Sequence, residues 1–298
     1  MIDFIGKRNW FFIISAILII PGIIVLIIFG LQPGVDFSSG TAMTVEFNKS
    51  IELADLRQEL IDLGYDSHTV QPSSDTDFFI RTQELTPEET RQLVSDLETG
   101  LDAEITVSSL YSVSPLVAEG TVRNTAIAIA IAAVGILLYI AWAFRKMPKP
   151  FRWGVCAVIA ILHDLLIVIA IFAILGWLVN IEIDALFVTG ILAVVGISVN
   201  NTVVVFDRIR ENMKRGISRD FSTTINVGIN ESIGRSLNTG LATLFVIVAM
   251  LLLGGVTIQN LVLVLFIGIA VGTYSSICIA GTLLAVWEKG ATTKIAHT

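Results

Sequence analysis

Six separate apolar runs decide what this 298-residue chain can become: Trp10–Leu31, Thr125–Phe144, Trp153–Val179, Ile183–Phe206, Leu237–Gly255 and Asn260–Val286. A helix of about 20 apolar residues matches the hydrocarbon thickness of a bilayer. With 54% apolar residues and a mean hydropathy of +0.80, the chain is too apolar for one soluble core of this length. The reading is an α-helical membrane protein with six transmembrane helices. The second run alternates Ala and Ile from Ala126 to Ile131 like a strand, but its length and lack of turn residues favour a helix. The first follows Lys7 and Arg8 and lacks a small-x-small cleavage pattern, so a retained anchor is expected and not a signal peptide.

Short-loop cations orient the helices. Lys7 and Arg8 precede the first run, and Arg145, Lys146, Lys149 and Arg152 separate the second from the third. Arg208, Arg210, Lys214, Arg215, Arg219 and Arg235 are assigned to the loop between the fourth and fifth, and Lys289 and Lys294 to the tail. The opposite loops hold Asn180, Glu182 and Asp184, or Val256 to Gln259, without a cation. Both termini are therefore expected in the cytoplasm of a bacterial cell, with the segment after the first run outside.

That segment differs in chemistry. Leu31 to Ala118 carries 16 acidic and 4 basic residues, whereas the rest carries 10 acidic and 15 basic. Thr41–Phe47 alternates as a strand. Ser50 is a candidate cap for a helix bearing Leu53, Leu56, Leu60 and Leu63 and ending at Gly64. A weaker strand near His68–Gln71 and another at Asp77–Thr82 follow. Thr86-Pro87-Glu88-Glu89 is a capping box opening a helix that stops at Gly100, and Ile105–Val113 is a final strand. The order β-α-β-β-α-β is ferredoxin-like, burying one sheet face under two helices and leaving the other free. Four regions result: residues 1–31 with the first helix, 32–118 as an extracytoplasmic α+β domain, 119–287 with helices two to six, and 288–298 as a cytoplasmic tail. No catalytic set is visible in the insert, and a contact or docking role is expected of it. Cys156 and Cys278 sit inside apolar runs as small buried residues, with no spacing for a metal or disulfide, and no cofactor is called for. Nucleic acid is excluded as a partner because the cations flank apolar runs.

Ionisable groups at bilayer depth require an account. Asp164 lies near the middle of the third run, beside His163. One reading is a carboxylate that takes up and releases a proton as its surroundings dry and wet; the other is an aspartate that fixes helix packing. For His163 the two readings stand even. Ser198, Asn200 and Asn201 in the fourth run come within about one turn of that depth and could hydrogen-bond across to it. Asn201 and Arg208 share a helix face. Asp207, Arg208, Arg210 and Glu211 gather at the membrane edge, where snorkelling and local ion pairs account for Arg210 and Glu211. Gly268, Gly272, Ser276 and Ala280 form a small-residue ladder in the sixth run.

These motifs resemble the SecF family of protein-export membrane subunits, within the resistance-nodulation-division (RND) superfamily. The matching residues are Gly34-Val35-Asp36-Phe37 with Gly40-Thr41, His163-Asp164, the string from Val204 through Asp207, Arg208, Arg210 and Glu211 to Asn212, and Gly272-Thr273-Tyr274-Ser275-Ser276. Nearly the whole chain is covered. Two departures stand out: Ser39-Gly40 where the family usually has two glycines, and Asn201 where an aspartate usually follows the first asparagine. Asn201 still donates and accepts hydrogen bonds but carries no charge.

The resemblance implies half of an RND-type transporter. It would work with SecD beside the SecYEG channel and use the proton-motive force to draw exported, unfolded polypeptide across the lipid membrane. Asp164 and Arg208 would then belong to the proton-coupled set. Such a subunit is no enzyme. Two rivals remain: a scaffold that carries no protons, and an RND-type exporter of a small or lipid-like solute. An intramembrane hydrolase lacks a serine or paired-aspartate set.

Overall fold

The computed structural model describes residues 1–65, 69–147, 149–255 and 258–287. His68, Lys289 and Lys294, used above, lie outside the described residues. The chain forms two compact units, one of residues 1–32 with 127–298 and one of residues 33–126.

Among the described residues, six helices are long and apolar enough to cross a membrane. They are α1 (Arg8–Phe29), α5 (Pro115–Ala143), α6 (Pro150–Val179), α7 (Ala185–Arg215), α8 (Phe221–Leu253) and α9, which starts at Gln259 and continues to Trp287. Three of them outrun their apolar runs. Helix α5 begins well before Thr125, α7 continues past Phe206, and α8 begins far ahead of Leu237. Hydropathy marks the bilayer, whereas helix ends follow caps. Asp220 accepts the Thr223 amide at 2.9 Å and starts α8, and Gly216 at φ 66° ends α7. Arg208 and Arg235 are therefore helical residues, not loop residues.

Small residues set the helix approaches in this unit. Gly22 of α1 lies against Ala170 of α6, Gly268 of α9 against Val194 of α7, and Gly228 of α8 against Ile209 of α7. Helix α9 is not uniform: Ser276–Ala280 forms a π-helical turn within it. A buried cluster at one end joins Phe144, Trp153, Phe206, Ile209, Ile225, Ile229 and Leu284 to Phe4 and Ile5. Those last two precede α1 on a segment tied down by α8. Asn226 accepts the Phe4 amide at 2.8 Å, and Asn230 accepts the Ile2 amide at 2.9 Å.

The second unit holds α2 (Val35–Ser38), β1 (Gly40–Phe47), α3 (Leu53–Asp62), β2 (Thr69–Pro72), β3 (Asp77–Thr82), α4 (Pro87–Gly100) and β4 (Ile105–Val113). The strands pair antiparallel in the order β2-β3-β1-β4, the ferredoxin-like arrangement. Met43, Val45 and Phe47 of β1 alternate onto one face, where Phe78 and Ile80 meet Leu56 and Leu60 of α3 and Leu93 and Leu97 of α4. Each such fully buried side chain stabilises the fold by about 1.5–3 kcal/mol. The opposite face is partly covered: Val35 packs on Ala42 and Val113, with Phe79 against them. Expecting that face to be wholly free overlooked the short helix α2.

Local chemistry explains the helix starts. In α4 the capping box forms, with the Glu89 amide donating to Thr86 Oγ1 at 3.3 Å and the Thr86 amide donating to Glu89 Oε2 at 2.8 Å. These bonds, the backbone one foremost, hold the Glu89 carboxyl below the usual range. Ser50 does not cap α3. That helix begins at Leu53, and extended Glu52 precedes it without a side-chain cap.

Candidate functional site

The sites expected at bilayer depth resolve into two clusters. The first centres on Asp164, fully buried in α6. His163 Nδ1 lies 2.9 Å from Asp164 Oδ1, so the adjacent pair touches directly. Ser198 of α7 donates to Asp164 Oδ2 at 2.5 Å, and Ser275 of α9 donates to the same oxygen at 2.8 Å. His163 Nε2 lies 2.7 Å from the hydroxyl of Ser15 in α1. With a neutral ring whose Nδ1–H donates to the carboxylate, Nε2 accepts from Ser15. Four helices thus converge on one carboxyl group, and a carboxylate with this many donors is stabilised where bare charge is costly.

The backbone makes room for this. Gly272 of α9 faces the carboxylate, and a Cβ there would lie 3.5 Å from Ser198 Cβ and 3.6 Å from Asp164 Oδ2. Ser275 closes the last α-helical turn before the π-helical segment. Tyr274 donates to the Phe11 carbonyl at 2.8 Å, with its ring 6.4 Å from His163. This bond joins α9 to α1 beside the Ser15–His163 contact.

Asn201 is buried, yet the hydrogen bonds of Asp164 go to His163, Ser198 and Ser275 and not to it. Asn200 points outward and is exposed in this chain. The one-turn estimate of depth therefore brings in Ser198 and leaves both asparagines aside.

The second cluster lies elsewhere. Arg208 is ten residues beyond Ser198 on α7, about 15 Å along the axis. Its Nε donates to Glu231 of α8 at 2.8 Å, and its Nη1 pairs with Glu211. Asn212 Nδ2 donates to the same Glu231 oxygen at 2.7 Å, and Arg215 Nη2 meets Glu211 at 2.5 Å. Arg210 pairs with Asp207. Such partly exposed pairs lock the helix ends together and do not reach the Asp164 carboxylate.

Asp36 and Gly40, from the first motif, belong to the other unit. Tyr111 of β4 donates to Asp36 at 2.9 Å, which pushes the Tyr111 hydroxyl above its ordinary range. Gly40 has φ 130°, and a Cβ there would sit 2.5 Å from the Thr82 carbonyl oxygen. Ser39 before it has φ 62° and ψ 169°, a region held almost only by glycine. The usual glycine pair is thus a backbone requirement, and this chain meets half of it under strain.

Three residues escaped the sequence. Ser15 and Ser275 are ordinary hydroxyls in apolar helices, and only the second fell inside a recognised string. Arg235 was set aside as a loop cation, but it lies fourteen residues into α8 and is exposed there. Gly228 faces Ile209 across the antiparallel α7–α8 contact, which sets Arg235 near the level of Thr202, one turn from Ser198. Among the described residues it has no ion-pair partner. Its depth, unlike its charge, required the structure. No three His, Cys, Asp or Glu side chains among the described residues come together as metal ligands.

Residues 93–290 match the model of the protein export membrane protein SecD/SecF, C-terminal, and residues 24–51 match the SecD/SecF GG motif. The chain belongs to the SecD/SecF family. The protein translocase subunit SecF of Thermobaculum terrenum is 42% identical, over 97% of this chain and 95% of that relative. SecDF of Bacillus subtilis is 30% identical over 96% of this chain but only 38% of its own length. The crystal structure of SecDF from Thermus thermophilus, a translocon-associated membrane protein, superposes with a TM-score of 0.85 at 29% identity, covering 97% of this chain and 39% of that one. This chain therefore spans nearly all of a SecF and about two fifths of a SecDF. The six membrane helices and the inserted ferredoxin-like sheet are the SecF part of that architecture.

Proposed function

We propose that this chain is a SecF-type accessory subunit of protein translocation in the bacterial cell membrane, coupling proton movement at Asp164 to the transport of exported polypeptide. One observation carries the proton reading: a fully buried carboxyl in a membrane helix, met by hydroxyls from two helices and by an imidazole that reaches a third. Packing is usually achieved with uncharged residues, so a group this costly to bury points to a task that needs its charge to change. Ser198, Ser275 and His163 can each accept as well as donate, so the site can hold Asp164 with or without a proton. The chemistry is proton movement, with no bond made or broken in a substrate.

The partner is a SecD-like half. Support comes from the fused relatives, in which a SecF-length segment is about two fifths of the chain. It also comes from Arg235 and Asn200, exposed near the depth of the Asp164 site, where lipid would be a poor neighbour for a cation. A carboxylate on the partner would complete that face. The SecYEG channel and its unfolded cargo are the wider partners. Both termini lie in the cytoplasm on the cation count, and residues 32–118 form the extracytoplasmic part. The boundaries 1–31, 119–287 and 288–298 describe the membrane and tail portions.

The test is Asp164→Asn in the chain assembled with its partner half. Export driven by the proton gradient after ATP-dependent initiation is expected to fall at least about tenfold, while the complex still co-purifies. Unchanged export would leave the scaffold reading standing.

A further inference from the structure

The described residues contain three buried side-chain polar atoms without a hydrogen-bond partner: Thr202 Oγ1, Ser236 Oγ and Asn212 Oδ1. All three lie on α7 and α8. The first two come to a similar level on the two helices. Ile209 lies against Gly228, and continuing this antiparallel contact seven residues inward along each helix pairs position 202 with position 235, next to Ser236. Thr202 is completely buried and Ser236 is 2% exposed. Two buried hydroxyls at one level without a partner are costly unless something polar satisfies them, and a single water between the helices has the size and valence to do so. Their position adds the second half of the argument. Thr202 is one helical turn beyond Ser198 on the same face, and Ser198 touches Asp164 Oδ2.

We propose that Thr202 and Ser236 hold a buried water that receives the Asp164 proton through Ser198, on the Arg208 side of the carboxylate. This rests on Asp164 being the proton carrier. When Asp164 is protonated, its hydroxyl donates to Ser198 Oγ. The Ser198 hydrogen then turns toward the water, and one proton passes along: Asp164 is left a carboxylate and the water becomes a hydronium that donates to Thr202 Oγ1 and Ser236 Oγ until the proton returns to Asp164 by the same path. No charge is left on Ser198. Beyond the water, Val205 and Ile209 of α7 are fully buried. Ser232, one turn from Ser236, donates to the Gly228 carbonyl at 2.7 Å and is the next polar group toward Glu231 and Asn212. The water is thus a station beside Asp164, and Thr202 and Ser236 are positioning residues, not carriers.

The readout is hydrogen–deuterium exchange of the Asp164 carboxyl, followed by infrared spectroscopy on the chain assembled with its partner half in lipid nanodiscs. The band is assigned by its loss in Asp164→Asn. Thr202→Val with Ser236→Ala is expected to slow exchange about tenfold, the equivalent of one lost hydrogen-bonded step. Thr202→Ser should exchange at the parent rate, and Ser236→Ala alone, which changes least volume, should fall between. Exchange at the parent rate in both Thr202→Val/Ser236→Ala and Ser236→Ala would overturn the inference, as would Thr202→Ser slowing as much as Thr202→Val/Ser236→Ala. If Asp164→Asn instead leaves proton-driven export intact, the proton reading itself fails. If it abolishes export while the hydroxyl variants exchange normally, only the water station falls.

Discussion

At the scale of single residues, the sequence shows which group is costly but not how it is held. Asp164 stands out because charge in an apolar run is rare, and its contact with His163 follows from adjacency once the rotamers turn together. Ser15 and Ser275 carry no such signal, since a lone hydroxyl in a helix commonly bonds its own backbone. Asn201 shows the reverse: it stands where the resemblance led to the expectation of an aspartate, and its side chain stays out of the Asp164 hydrogen bonds. Ser39 offers the sharpest local prediction. Its φ of 62° with ψ of 169° is strained for any residue with a Cβ. Ser39→Gly is expected to relieve about 1 kcal/mol, seen as roughly fivefold slower amide exchange over residues 35–47. Faster exchange would mean that the bond from the Ser39 hydroxyl to the Ser38 carbonyl, 2.5 Å long, outweighs the strain.

At the scale of elements, the strands and the Thr86 cap were legible, whereas the start of α3, expected at Ser50, and the helix lengths were not. The strand at Asp77–Thr82 and the capping box at Thr86 have local causes, alternation and turn chemistry, that act within a few residues. The early start of α8 at Phe221 depends on the Asp220 cap and on packing against α7, which hydropathy does not register. The small-residue ladder of α9 also hides a difference in how closely its members approach α7. Gly268 lies so close to α7 that a Cβ would come within 2.9 Å of Val194 Cβ, whereas Gly272 leaves ordinary contact distance. Gly268→Ala is therefore expected to cost about 1–3 kcal/mol and lower the thermal midpoint in detergent, while Gly272→Ala leaves it nearly unchanged. Equal shifts would refute this placement of α9.

At the scale of the whole molecule, the count of six helices and the acidic insert were plain from hydropathy and charge, because both are sums over many residues. Sidedness is a sum of the same kind and is directly measurable. Both native cysteines are buried, so introduced thiols report cleanly. Lys146→Cys and Gly255→Cys lie in loops at opposite ends of the helices. In intact cells a membrane-impermeant maleimide is expected to label Gly255→Cys and spare Lys146→Cys; the reverse would invert the topology. The π-helical turn at Ser276–Ala280 bears on the molecule as a unit as well. A π turn is an α-helix with a spare residue wound into it. Winding the same residues as plain α-helix would turn everything beyond Ala280 by about 100°. Leu284 and Ala285, fully buried in the terminal core, would swing away from their neighbours while Gly272 and Ser275 stayed in place. That one extra residue acts as a phase adjuster: it lets a single helix satisfy an acid-binding pocket at its middle and an apolar socket at its end.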